Sequence, residues 1–375
     1  MRKDFAILAL SAFLALPAFS QQTKILTGEK HNEYGLVYSL PLTALRITVT
    51  AQKETFTAGP YSQYAKRFIG TSNVVSENSV KWTITDLQVT PFGVKDDERQ
   101  YLMQLKPGVT TFIGVASDGM LLSVNTEPEE TNPTGSGMKQ VGARVLRQGG
   151  NVEDYLNYVN QDYLTAQNSM RQAEMLANTR MEVIEAYNEF INGTSDNMPE
   201  TQGQLELMCE KLAEQRDAMS RAFTGTSSLE EFSSEYVYIP DGNGEAVLFR
   251  VSDFNGLVGA DDYSGSPVYI GIEVTNEGAL PKDPLTGEPK AFPKDGVVYG
   301  IPGSAKVSIY TDNRELFSKE FEFSQFGTTF GLSPLLFTDR KAPSYARFSP
   351  VTGALVEIGT LSKAPAAKTD TKSEE

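Results

Sequence analysis

The stretch "LRITVTA", Leu45–Ala51, alternates without a fault: Leu45, Ile47, Val49 and Ala51 fall on one side, Arg46, Thr48 and Thr50 on the other. A period of two marks a strand with one buried and one solvated face. Outward from it, "VKWTITDLQV", Val80–Val89, alternates through Val80, Trp82 and Ile84 and then changes phase to Leu87 and Val89. One extra residue exchanges the two faces of a strand, so the slip predicts a bulge near Thr85 and Asp86. "TTFIGVASDGMLLSVN", Thr110–Asn125, reads as a hairpin turned by Asp118-Gly119. Residues 21–125 are therefore expected to form an N-terminal β domain.

Beyond it the composition changes. Residues 126–151, "TEPEETNPTGSGMKQVGARVLRQGGN", are rich in Gly, Pro, Thr and Glu and carry almost no apolar periodicity, which reads as a linker or mobile loop. From Val152 to Asn192 there is neither Gly nor Pro, and Leu156, Tyr163, Met170, Ala177, Ile184 and Ile191 recur every seven residues. That stripe predicts a helix to Asn192, ended by Gly193, then a second helix from about Gln204 to Phe223, ended by Gly225. The short connection makes the pair an antiparallel hairpin over 152–226. Segments such as "AVLFRV", "PVYIGIEV", "AKVSIY" and "FEFSQF" return to strand patterns, giving a C-terminal β domain over 227–361. "SDGMLLSV" (Ser117–Val124) is echoed by "VTGALVEI" (Val351–Ile358); an old duplication would give this, but the plainer reading is two hairpins with the usual turn chemistry. Residues 362–375 are too polar to pack and are expected to be disordered. The expected fold class is α+β: two sandwich-like β domains flanking a long antiparallel helical hairpin.

The N-terminus bears on compartment. Arg2 and Lys3 precede an apolar run from Phe5 to Phe19, and "AFS", Ala18–Ser20, sets small residues before Gln21. This is the pattern of a cleavable signal peptide over 1–20, so the expected location is the periplasm or cell envelope. The run falls short of the roughly 20 residues a spanning helix needs, and no other segment approaches that length. A formal charge of −15 argues against nucleic-acid partners.

Few chemistries survive a search. The single histidine, His31, lies in the polar "GEKHNEY" and reads as solvated; the single cysteine, Cys209, reads as a buried helical thiol beside glutamates. A zinc site or a histidine-dependent triad would have to recruit these isolated residues. Asp241, Asn243 and Glu245 alternate as calcium ligands can, but the calcium-loop pattern fails. Asp261 and Asp262 stand in a loop without a partner constellation. No phosphate loop, dinucleotide fingerprint or nucleophile elbow occurs, so no catalytic residue, metal or cofactor is expected. "GPYSQYAKRFIG", Gly59–Gly70, sets Tyr61, Tyr64 and Phe68 on one stripe of a short helix and turns Lys66 and Arg67 away. The plain reading is a short helix covering an edge of the first β domain. A recognition role would use Tyr61, Tyr64 and Arg67.

The order of "YGLVYSLPLTALRITVT", "GPYSQYAKRFIG", "VKWTITDLQV", the two helix ends "FINGT" and "AFTGT", "EYVYIPDGNGEAVLFRVSDFNGLV", "VVYGIPGSAKVSIY" and "SPVTGAL" resembles an exported Bacteroidota family catalogued as domain of unknown function 4831. The resemblance covers roughly 25–360 and implies a Gram-negative envelope setting and a β–helical–β layout, with no activity, cofactor or site residue attached. The expected function is a non-catalytic envelope binding or interaction protein with a protein partner. The alternatives are a glycan- or peptide-binding module, or a hydrolase using paired carboxylates.

Overall fold

A computed structural model describes residues 22–25, 35–104, 112–128, 140–293, 295–339 and 342–361. His31 and the signal-peptide segment lie outside the described residues. In chain order the first elements are β1 (Gln22–Ile25), β2 (Leu36–Thr57), α1 (Ala65–Phe68), β3 (Ser79–Gln104), β4 (Ile113–Val115), β5 (Leu121–Val124) and β6 (Gln140–Arg147). The helices α2 (Gln161–Thr165), α3 (Ser169–Asn192) and α4 (Gln202–Thr224) follow. Then come β7 (Thr226–Tyr238), β8 (Gly244–Ser252), β9 (Gly256–Val258), β10 (Ser266–Asn276), β11 (Val297–Thr311), β12 (Arg314–Leu332), α5 (Leu335–Thr338), β13 (Ser344–Phe348) and β14 (Leu355–Thr360).

The strands make three sheets, in the orders β1-β3-β2-β7-β6, β12-β11-β10-β8-β9 and β14-β13-β5-β4. The described residues are 48% strand and 22% helix, and this overturns the expected α+β class. It is a mostly β fold, with no long helical hairpin standing between two β domains. Strand β7, the first after the helices, returns to the first sheet between β2 and β6, and β13 pairs with β5. Strands from both ends of the chain therefore share sheets. Alternation tells which side chains of a strand point inward; it carries no information about which distant strand takes the free edge.

The first two sheets pack face to face. Leu45, Ile47 and Val49 of β2 and Tyr236 of β7 meet Phe249, Ile270, Val307 and Phe323 of the second sheet, all buried. Inward-facing residues of two sheets interdigitating in this way form a sandwich core. Tyr236 and Phe249 stack with ring centroids 4.8 Å apart across it. At one end of the same strands a second core joins Tyr38, Leu40 and Met103 to Phe330, Phe337 and Phe348. The bulge expected near Thr85 is present: Thr50 pairs with Asp86 and Ala51 with Ile84, leaving Thr85 unpaired in the register.

Larger breaks join the two cores. Ser39 pairs with Gln100 but Pro41 with Lys95, so β3 spends three extra residues there. Ile301 pairs with Thr328 but Gly303 with Phe323, the same excess on β12. The two breaks meet. Arg99 ion-pairs with buried Asp96 and donates to Pro41 O, Ser324 O and Ser324 Oγ. The Gln325 amide accepts from Thr43 N and donates to Thr43 O and Pro240 O. Thr43 Oγ1 accepts from Ser324 N and donates to Val351 O. Each of these groups has a partner, as buried polar groups must.

The helical segment is shorter than its periodicity suggested. Residues Asp154–Tyr158 form a 3-10 turn, α2 spans one turn, and the long helix starts only at Ser169. Two asparagines interrupt it: Asn160 Oδ1 accepts from Tyr163 N and Asn168 Oδ1 from Met170 N. A side chain that caps the backbone restarts a helix rather than continuing one. Residues 126–151 are likewise not all linker, because β6 lies there as an edge strand. Its side chains from Gly142 to Arg147 are exposed and its register shifts twice, so no apolar period reaches the sequence.

Candidate contact surface

The short helix after Gly59 sits on the helical layer rather than on a sheet edge. Gly59 approaches the Ala222 carbonyl so closely that a Cβ would collide with it, and Tyr61 N donates to Ala222 O at 2.9 Å. Gly70, at φ 73°, ends the segment as the sequence suggested. Tyr61 is 5% exposed. Its ring lies 6.0 Å from Tyr155 and 5.8 Å from Phe223. Its hydroxyl is hydrogen-bonded to that of Tyr163 and donates to Gln172 Oε1. Tyr64 is half-buried, with its hydroxyl 3.2 Å from Ser169 Oγ. Arg67 is exposed, its guanidinium 5.3 Å from the Phe68 ring centre and one of its nitrogens 3.4 Å from Met170 Sδ. Of the three residues singled out in sequence, then, Tyr61 faces the interior, while Tyr64 and Arg67 both reach the first turn of α3.

Burial, more than any other cause, pushes the Tyr61 hydroxyl up to about 12. Burial also raises Tyr163, and its hydrogen bonds to Tyr155 and Tyr61 add to the shift. A phenol whose folded pKa exceeds its unfolded value stabilises the fold fully below the unfolded value near 10. That contribution is lost as pH rises through the folded value, because only the unfolded chain releases the proton in between. We therefore expect stability to fall between pH of about 10 and about 12, with Tyr61 and Tyr163 ionising later than an ordinary tyrosine. A spectroscopic tyrosinate titration checks this. Ionisation of all tyrosines in one step near 10, with the fold intact, would contradict it. Beside this cluster a cavity of about 160 Å³ is lined by Val159, Asn160, Tyr163, Met175, Leu176 and Thr179, among others.

The other sequence candidates are dispersed. Asn243 Oδ1 accepts from Val274 N, and Glu245 accepts from the Tyr310 hydroxyl, so the alternating set does not converge. Asp262 caps its own turn by accepting from Ser264 N; hydrogen bonding with the Ser264 side chain first, and with its N–H second, lowers the carboxyl below the usual range. Cys209 is a half-buried free thiol. Trp82 packs on Phe232 and under Gly256. Among the described residues no three His, Cys, Asp or Glu side chains gather as metal ligands would. No described helix is long and apolar enough to cross a membrane.

The apolar stripes of α3 and α4 are where sequence pattern and burial part company. Along α3 the seven-residue series passes from Ala177, buried, through Ile184, half-buried, to Ile191, 60% exposed. Along α4, Phe223 and Met219 are fully buried and Leu212 half-buried, whereas Met208, one turn earlier, is 39% exposed. Both stripes continue past the end of the core that covers them, toward the connection at 193–201. Met198 and Leu207 are exposed near the same end. The seven-residue spacing was visible in the sequence; that its far end lacks a cover was not.

The family model described as "Domain of unknown function (DUF4831)" matches residues 34–356. No curated protein matches, and no solved structure does.

Proposed function

The chain belongs to that DUF4831 family, and we propose that it is a non-catalytic binding protein of the Gram-negative cell envelope, exported by a cleavable leader. It would contact a protein partner through the uncovered end of α3 and α4. The observation that carries this reading is the pair of apolar stripes outrunning their core, with Ile191, Leu207 and Met208 left in solvent. Apolar side chains repeated at helical spacing and left uncovered are the material of helix-mediated recognition. The basic start and apolar run before Gln21 support the envelope setting. The family match supports neither location nor partner by itself.

A photo-cross-linker placed at Met208 in native cells is expected to yield a discrete protein adduct. The same group at Leu285, 93% exposed in the loop after β10, is expected to yield none. Combining Ile191→Asp with Met208→Asp should lower adduct recovery by at least about tenfold, since contact hot spots cost about 2 kcal/mol or more. Thermal stability should hardly change, because exposed substitutions stay within about 0.5 kcal/mol. Equal adducts from both positions, or recovery unaffected by the double variant, would count against the proposal.

A further inference from the structure

Two distant parts of the chain repeat the same backbone bonds in the same order. "VYSLPLTA", Val37–Ala44, and "VYGIPGSA", Val298–Ala305, agree at Val, Tyr, Pro and Ala, with Leu40 beside Ile301 and Thr43 beside Ser304 in the same places. Each lies on the first strand of a long antiparallel hairpin, β2–β3 or β11–β12. In each hairpin the second strand spends three extra residues beside the proline. In each sheet the first strand is flanked on its other side by an antiparallel neighbour, β7 or β10. A short hairpin then follows in the chain, β4–β5 or β13–β14.

The bonds between long and short hairpins also correspond. Ser39 N donates to Gly119 O at 3.0 Å, and Gly300 N to Gly353 O at 2.8 Å. Ser39 bridges Met120 in parallel, and Gly300 bridges Ala354 in parallel. Within the turns, Ala116 N donates to Met120 O and Ser349 N to Ala354 O, both at 2.8 Å. Gly119 N donates to Ala116 O, and Gly353 N to Ser349 O. Asp118 Oδ1 accepts from Met120 N, as Thr352 Oγ1 accepts from Ala354 N. Both glycines hold positive φ, 90° and 69°, a region that disfavours a side chain. The second turn is one residue longer.

Ordinary turn chemistry accounts for a glycine at positive φ. It does not account for a bond from that glycine's carbonyl to the same position of the same Pro-containing motif, beside a register break of the same size. We propose that the hairpins β2–β3 with β4–β5, and β11–β12 with β13–β14, are two copies of one structural unit, produced by duplication. The helical layer, residues 58–78 and 148–225, has no counterpart beside β11 and β12 among the described residues. The repeated unit is the scaffold, and the unrepeated helices are its elaboration.

The test exchanges the turns in the full chain. "SPVTGA", Ser349–Ala354, is copied in place of "ASDGM", Ala116–Met120, and hydrogen exchange is read at the Ser39 amide. Equivalent turns should keep that amide as protected as in the parent, although the graft is one residue longer. Gly119→Ala, which strains the backbone at φ 90°, should speed its exchange by at least about tenfold. A folded graft whose Ser39 amide exchanges as fast as in Gly119→Ala would overturn the proposal. So would a graft that fails to fold while Gly119→Ala folds.

Discussion

Gly327→Ala is expected to be among the most damaging single-methyl changes this protein can suffer. A Cβ at Gly327 would strike the Ile301 carbonyl oxygen and lie 2.8 Å from Gly303 N. Gly303 is itself pressed against Phe326 O and Asn276 O, and Gly278 against Ile301 O and Pro302 O. Backbones, not flexible side chains, occupy the space, so nothing can yield without opening the β11–β12 break. The expected loss exceeds about 4 kcal/mol, the range reserved for named structural faults. That corresponds to a fall in Tm of roughly 10 °C for a chain of this size. Thermal unfolding beside Gly203→Ala is the measurement. Gly203, at the exposed start of α4, has nothing within 4 Å of its added carbon, and there the change should be neutral or stabilise by up to about 1 kcal/mol. If Gly327→Ala melts with the parent, the three glycines do not interlock as described.

The second large effect is expected at Phe223→Ala, with a loss of about 3–5 kcal/mol. Phe223 is fully buried in the third core, where α3, α4 and the Tyr61 segment meet. It supports the Tyr61 ring, and the neighbouring Ala222 carbonyl anchors that segment by accepting from Tyr61 N. Removing the ring leaves a cavity and loosens the support under the tyrosine hydroxyl network, so Tyr61 should also ionise at lower pH than in the parent. Urea unfolding should show a lower midpoint with an unchanged slope. Leu207→Ala, on the same helix but 55% exposed, should shift stability by no more than about 0.5 kcal/mol. Equal effects at the two positions would mean that the helices are held by something other than this core.

How much of this was legible in the sequence depends on the range of the interaction. Local signals survived: the alternation at Leu45–Ala51, the phase slip at Thr85, and the helix stops at Gly193 and Gly225 all correspond to observed geometry. The helix start was missed because Asn160 and Asn168 lack Gly or Pro's plain signal, yet each diverts the backbone by capping it. The sheet membership of β7 was missed because strand alternation names a face and not a neighbour. The layout of two flanking β domains failed for that reason. At the contact surface the spacing of Ala177, Ile184 and Ile191 was read correctly, but spacing cannot report where a covering core ends. The motif shared by Val37–Ala44 and Val298–Ala305 was present in full and went unread, because four identities in eight carry little weight until matched bonds accompany them.

The return of β7 to the side of β2 governs the order in which the molecule can be made. The inner face of β2 waits for Tyr236 on its own sheet and for Phe249 to Phe323 on the other. Most of the chain must therefore be present before the largest core can close. Pairings of such sequence separation cost loop entropy before they return any contact energy, which makes for slow, late folding. A nascent or truncated chain ending before β10 would hold long strands with one face uncovered and no means of covering it, and aggregation would be its competing fate.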